Sequence, residues 1–77
     1  MTQYTIYSSP KCSYCLKAKE LLTMKGFDFE VIDLVAENIS AADLSKKLGV
    51  AVRTVPQIVA PDGTYVGGYE DLARYLD

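Results

Sequence analysis

Seventy-seven residues suffice for a single domain, residues 1–77, and leave no room for a second. Hydrophobic residues make up 49% of the chain and charged residues 23%, enough apolar content for a small core, which excludes intrinsic disorder. Eight basic against ten acidic side chains leave a net charge of −2 with no long run of one sign, which excludes the basic stripe that neutralises a phosphate backbone.

Residues 3–7 are β-branched and aromatic and predict a first strand, broken by Ser8, Ser9 and Pro10. The same N-terminal stretch lacks the basic-then-apolar order of a signal peptide, and no apolar run approaches the roughly 20 residues that cross a bilayer. The expectation is a soluble, cytoplasmic monomer with no membrane or nucleic-acid partner. Over residues 13–25, Cys15, Ala18 and Leu22 recur at i, i+3 and i+7 with Leu21 beside them, which predicts a helix that Gly26 stops. Phe27, Phe29 and Val31 then alternate with Asp28, Glu30 and Ile32, the period of a second strand. Strand, helix and strand within about 30 residues form a βαβ unit with parallel strands and a right-handed crossover.

Ser40 with Asp43 makes a capping-box-like start for a second helix, Leu44 and Leu48 share one of its faces, and Gly49 ends it. Residues 57–60 and 64–66 are short strands joined by Pro61-Asp62-Gly63, a turn signal for an antiparallel hairpin. Tyr69, Leu72, Ala73 and Leu76 carry the spacing of a last short helix. The order βαβ-α-ββ-α predicts an α/β fold, a four-stranded mixed sheet flanked by helices.

The chain has two cysteines and no histidine. This removes Cys-His and Ser-His catalysis, and one chain cannot build a four-ligand zinc site from Cys and His. A single bridge over so short a loop restrains little of the unfolded chain, so Cys12-Ser13-Tyr14-Cys15 reads as a redox-active dithiol. Residues three apart on a helical turn are neighbours. Cys15 shares the inward face of Ala18 and Leu22, while Cys12 sits at the exposed helix start. There the helix dipole, its unpaired N–H groups and nearby Lys11 favour a thiolate at Cys12 over Cys15. Cys12 is then the nucleophile and Cys15 the resolving thiol.

Two further segments are informative. In Arg53-Thr54-Val55-Pro56-Gln57-Ile58 a proline directly precedes a strand. It is either an ordinary trans proline, the reading local sequence favours, or a cis peptide that turns the backbone of Val55 outward to pair with an extended peptide. In Gly67-Gly68-Tyr69-Glu70-Asp71 two glycines precede a helix. They make either a simple turn or a close backbone approach to a ligand anion, with Asp71 placed to face an ammonium group.

The three segments together, in order and spacing, resemble the glutaredoxin family over essentially the whole chain. The resemblance implies a thioredoxin-like fold, a cis peptide before Pro56, and glutathione-dependent reduction of protein disulfides and glutathione mixed disulfides. Cys12 would form the mixed disulfide with glutathione, and Tyr14 would flank the sulfur pair. Thr54, Val55 and Pro56 would line the site, with the Val55 backbone pairing with the cysteinyl unit. Gly68, Tyr69, Glu70 and Asp71 would take the γ-glutamyl end. Arg53 would meet the glycine carboxylate, with Lys11 standing in for a lysine that many relatives carry at the position of Ser9. The partners so implied are glutathione and disulfide-bearing or glutathionylated proteins, a ribonucleotide reductase among them.

Many members have proline where this chain has Ser13. Some members without it hold a [2Fe–2S] cluster between two subunits, through glutathione and the first cysteine, here Cys12. That gives an alternative role as an iron–sulfur carrier; otherwise no metal is expected. Ser9-Pro10-Lys11 bears a slight likeness to short redoxins recharged by thioredoxin reductase, a further alternative.

Overall fold

The computed structural model describes residues 3–52 and 54–77. The elements run β1 (Tyr4–Ser8), α1 (Ser13–Met24), β2 (Phe29–Asp33), α2 (Ala41–Leu48), β3 (Gln57–Val59), β4 (Tyr65–Gly67) and α3 (Tyr69–Leu76). This is the predicted order, with strand ends shifted by one or two residues. The four strands lie in the order β2-β1-β3-β4. The β1–β2 pair is parallel, and β1–β3 and β3–β4 are antiparallel. Among the described residues no helix is long and apolar enough to cross a membrane.

Helix starts and stops follow local chemistry. Ser40 Oγ accepts the Asp43 N–H at 3.0 Å, while Asp43 Oδ2 accepts the Ser40 N–H at 3.3 Å. This reciprocal cap stabilises α2 by about 0.5–2 kcal/mol. Gly49 ends the helix at φ 74°, the left-handed conformation that glycine adopts without a Cβ penalty.

The principal core lies between one face of the sheet and helices α1 and α3. Ile6 and Ile58 are register partners in the β1–β3 ladder. They join Tyr4, Ala18, Leu22, Ala60 and Leu72 in one buried cluster. Each fully buried Leu or Ile contributes about 1.5–3 kcal/mol. Side chains alternate across a strand, so Tyr7 faces the other side. There Lys47 of α2 places its Nζ 5.8 Å from the Tyr7 ring centroid, and Leu44, one turn earlier, is fully buried outside the principal cluster.

The second strand is found, starting two residues later than predicted and with part of its apolar face exposed. Phe27 lies ahead of β2 and stays 43% exposed, and Val31 is 39% exposed. The cause is position: β2 is an outer strand paired with β1. Phe27 instead packs its ring edge-on against Tyr4, with centroids 5.4 Å apart.

Candidate active site

Cys12 is the N-cap of α1, in extended backbone, and its Sγ accepts the Cys15 N–H at 3.2 Å. One of the unpaired N–H groups that begin any helix is thus aimed at the sulfur. The first turn of α1 contains no acidic residue, whereas α2 has Asp43 there and α3 has Glu70 and Asp71. The local field at Cys12 therefore keeps its positive sign. Both cysteines are free thiols; Cys12 is half-buried and Cys15 is buried. Burial first, and then the hydrogen bond to Cys12, push the Cys15 thiol up to about 12. Cys15 therefore holds its proton while Cys12 faces the surface, the asymmetry expected from the helical spacing.

Cys12 Sγ also donates to the Val55 carbonyl at 3.6 Å, across 43 residues of sequence. This contact joins the dithiol to the 54–57 segment. The Val55–Pro56 peptide is cis, so the local preference for an ordinary trans proline is overturned and the conformation implied by the family resemblance is found. Behind it lies a support absent from the sequence reading. Gln57, buried, donates from Nε2 to the Thr54 carbonyl at 2.8 Å, and its Oε1 accepts the Tyr65 hydroxyl proton. Both polar ends of Gln57 are thereby satisfied, and β4 is tied to the loop. A lone glutamine after a proline gives no sequence signal for this, because the partner Tyr65 is fixed only by strand pairing.

Tyr14, Thr54, Val55, Pro56, Gly68, Tyr69, Glu70 and Asp71 line one open groove of about 350 Å3. Eight of the ten binding positions expected from the sequence therefore converge. The Tyr14 and Tyr69 rings stand 6.0 Å apart, and Lys17 places Nζ 5.0 Å from the Tyr14 ring centroid. Asp71 is already engaged: Oδ2 accepts the Gly68 N–H at 3.1 Å, and Oδ1 pairs with Arg74 at 2.7 Å. Its carboxylate remains half-exposed, and the charged side chains in the groove lining are Glu70 and Asp71. Arg53 lies outside the described residues.

Lys11 does not line this groove. It has a positive φ of 63° and lines a second cavity of about 480 Å3 that also contains Cys12 and Cys15. Among the described residues no group of three or more His, Cys, Asp or Glu side chains is placed to hold a metal ion.

This arrangement has counterparts among known proteins. The family model described as Glutaredoxin matches residues 4–66. Glutaredoxin 1 of Escherichia coli strain K12 is 37% identical over 79 aligned residues, covering 96% of this chain and 92% of that protein. The solution structure of reduced Escherichia coli glutaredoxin superposes with a TM-score of 0.80 at 38% identity, covering 96% of this chain and 92% of that one. A buckwheat glutaredoxin–glutathione complex superposes with a TM-score of 0.77 at 26% identity, covering 95% of this chain and 66% of that one.

Proposed function

This chain belongs to the glutaredoxin family and is a thiol-disulfide oxidoreductase, and from that premise we propose that the 77-residue chain, as one catalytic unit and a monomer, uses glutathione as its reductant. The observation that carries this reading is the contact between Cys12 and Val55, which puts the half-buried sulfur beside the groove leading to the start of α3.

Glutathione is a tripeptide with two carboxylates, one ammonium and one thiol. The groove offers complementary groups: the Val55 backbone for the cysteinyl unit, the N-terminus of α3 for a carboxylate, and Asp71 for the ammonium. Arg53 is the cation for the remaining carboxylate. The relative solved with glutathione supports the ligand class.

In the reaction the Cys12 thiolate attacks one sulfur of a client disulfide, and the other client sulfur leaves as a thiolate. Cys15 then loses its proton, attacks Cys12 Sγ and expels the client's second thiolate, leaving a Cys12–Cys15 disulfide. Two glutathione molecules reduce this disulfide and depart as glutathione disulfide. With a glutathionylated client, Cys12 takes the glutathione and a second glutathione releases it, so Cys15 is not required. The clients are disulfide-bearing and glutathionylated proteins, a ribonucleotide reductase among them.

The test is turnover of a small glutathione mixed disulfide coupled to glutathione reductase. Cys12→Ser is expected to abolish activity, and Cys15→Ser to retain it on this substrate. If Cys15→Ser is as inactive as Cys12→Ser, the monothiol route fails.

A further inference from the structure

The cavity on the other side of Cys12 differs from the first groove in charge and in lining. Its walls include Lys11, Cys12, Cys15, Leu16, Lys19 and Val31. Leu16 and Val31 are large apolar side chains left 59% and 39% exposed. Leu16 and Lys19 are i, i+3 neighbours on α1, and both also line an adjoining hollow of about 420 Å3 that reaches Met24, itself 81% exposed. Glu20 and Thr23 line that hollow too, with Glu20 one turn from both Leu16 and Met24, so the apolar surface beside the reacting sulfur is that of Leu16 and Val31.

In the cavity beside Cys12 the charge is mainly positive, Glu20 lying in the adjoining hollow. Lys11 and Lys19 face the cavity, and its acidic member, Asp33, is turned into its own loop, where Oδ1 accepts the Val35 and Ala36 N–H groups at 2.9 and 3.2 Å. The chain as a whole carries −2. A basic, apolar-floored cavity thus stands beside Cys12, opposite a groove whose charged lining residues are Glu70 and Asp71. Among the described residues, the two surfaces beside this one nucleophile differ in charge balance.

The geometry points to this α1-side cavity as the docking surface for the client polypeptide: a segment carrying aliphatic and acidic residues next to its disulfide-bonded cysteine. Leu16 and Val31 receive the aliphatic side chains, and Lys11 and Lys19 the carboxylates. The inference rests on the reading that glutathione occupies the Val55 side, since that assignment leaves the α1 side to the client. Complementary charge of this kind acts through encounter rate and partner choice more than through bulk affinity.

The experiment uses three mixed disulfides of 2-thio-5-nitrobenzoate, whose release is coloured. One carries a decapeptide with leucine and glutamate flanking its cysteine, one the same decapeptide with lysine in place of glutamate, and one glutathione. The Cys15→Ser protein attacks each through Cys12 alone: the Cys12–substrate disulfide forms and the coloured thiolate leaves. This removes any effect of Lys19 on the ionisation of Cys15, whose thiol that ammonium favours in the charged form. The acidic peptide is expected to react about tenfold faster than the basic one at low salt. Leu16→Glu and Lys19→Glu, both surface changes, are expected to erase that preference and leave the glutathione rate unchanged.

Equal rates for the two peptides in the Cys15→Ser protein would overturn the proposal. So would a matching fall in the glutathione rate in the Leu16→Glu and Lys19→Glu variants, which would assign the cavity to glutathione. Failure of the glutathione reading is distinguishable, because it would appear as a glutathione substrate reacting no faster than the same mixed disulfide of cysteine, whatever the peptides do.

Discussion

On the Val55 side of Cys12 the chain presents backbone and carboxylates, held by contacts distant in sequence. On the Leu16 side it presents aliphatic side chains and ammonium groups, held by one helix and an outer strand. The first surface depends on three segments meeting: the cis Val55–Pro56 peptide, the Gln57–Tyr65 hydrogen bond and the start of α3. The second needs little beyond the face that α1 turns to solvent beside β2. The difference teaches that one sulfur can border two surfaces built in different ways, one from segments distant in sequence and one from neighbouring stretches of chain. It also makes the two sides separable by substitution.

The largest expected effect falls on the Val55 side. Gly67 has a φ of 117°, and a Cβ built there lies 2.9 Å from the Asp71 carboxyl carbon. Gly67→Ala should therefore strain the β4–α3 junction by about 1–3 kcal/mol. A urea midpoint lowered accordingly, with a raised glutathione KM and an unchanged reaction with the acidic peptide, is the outcome that keeps the two sides independent.

A smaller effect is expected from Gln57→Leu. It leaves the Thr54 carbonyl and the Tyr65 hydroxyl without their partner, at about 1 kcal/mol. Because the loop it holds lines the glutathione groove, KM for glutathione should rise several-fold while kcat at saturation stays near wild type. A merely structural role would lower the urea midpoint and leave KM unmoved. Gln57→Glu keeps the shape and the acceptor of Gln57 but not the donor to Thr54, so it should not rescue KM.

The effect that is smallest near neutral pH belongs to the dithiol itself. Since burial raises the Cys15 thiol from the ordinary 9.0 to about 12, the unfolded chain loses that proton first as pH rises. The reduced protein then loses stability between about 9 and about 12. The urea midpoint of wild type relative to Cys15→Ser should be flat near neutral pH and decline through that window. A flat difference throughout would remove the buried, proton-holding Cys15 from the account.

Much of this was legible in sequence where the physics is local. The i, i+3 cysteines, the Ser40–Asp43 cap and the Gly49 stop each depend on residues within one helical turn, and all are found. The Phe27–Val31 alternation marks a strand that is found at Phe29–Asp33, but it shows which residues share a face and not whether a helix covers that face. The Pro56 isomer could not be read from its neighbours; the resemblance supplied it. Lys11 directly precedes Cys12, yet with its left-handed backbone it lines a different cavity from the groove holding the other described binding positions. Gln57 was overlooked because its partner is chosen by the register of β3 and β4.

The most direct test of the two-sided account is amide NMR on the Cys15→Ser protein, free and as its glutathione mixed disulfide. The account predicts that, beyond Cys12 itself, the largest shift changes fall on Val55, Gly68, Glu70 and Asp71, with Leu16, Lys19 and Val31 nearly unmoved. Largest changes at Leu16, Lys19 and Val31 would contradict it, since glutathione would then occupy the side assigned to the client.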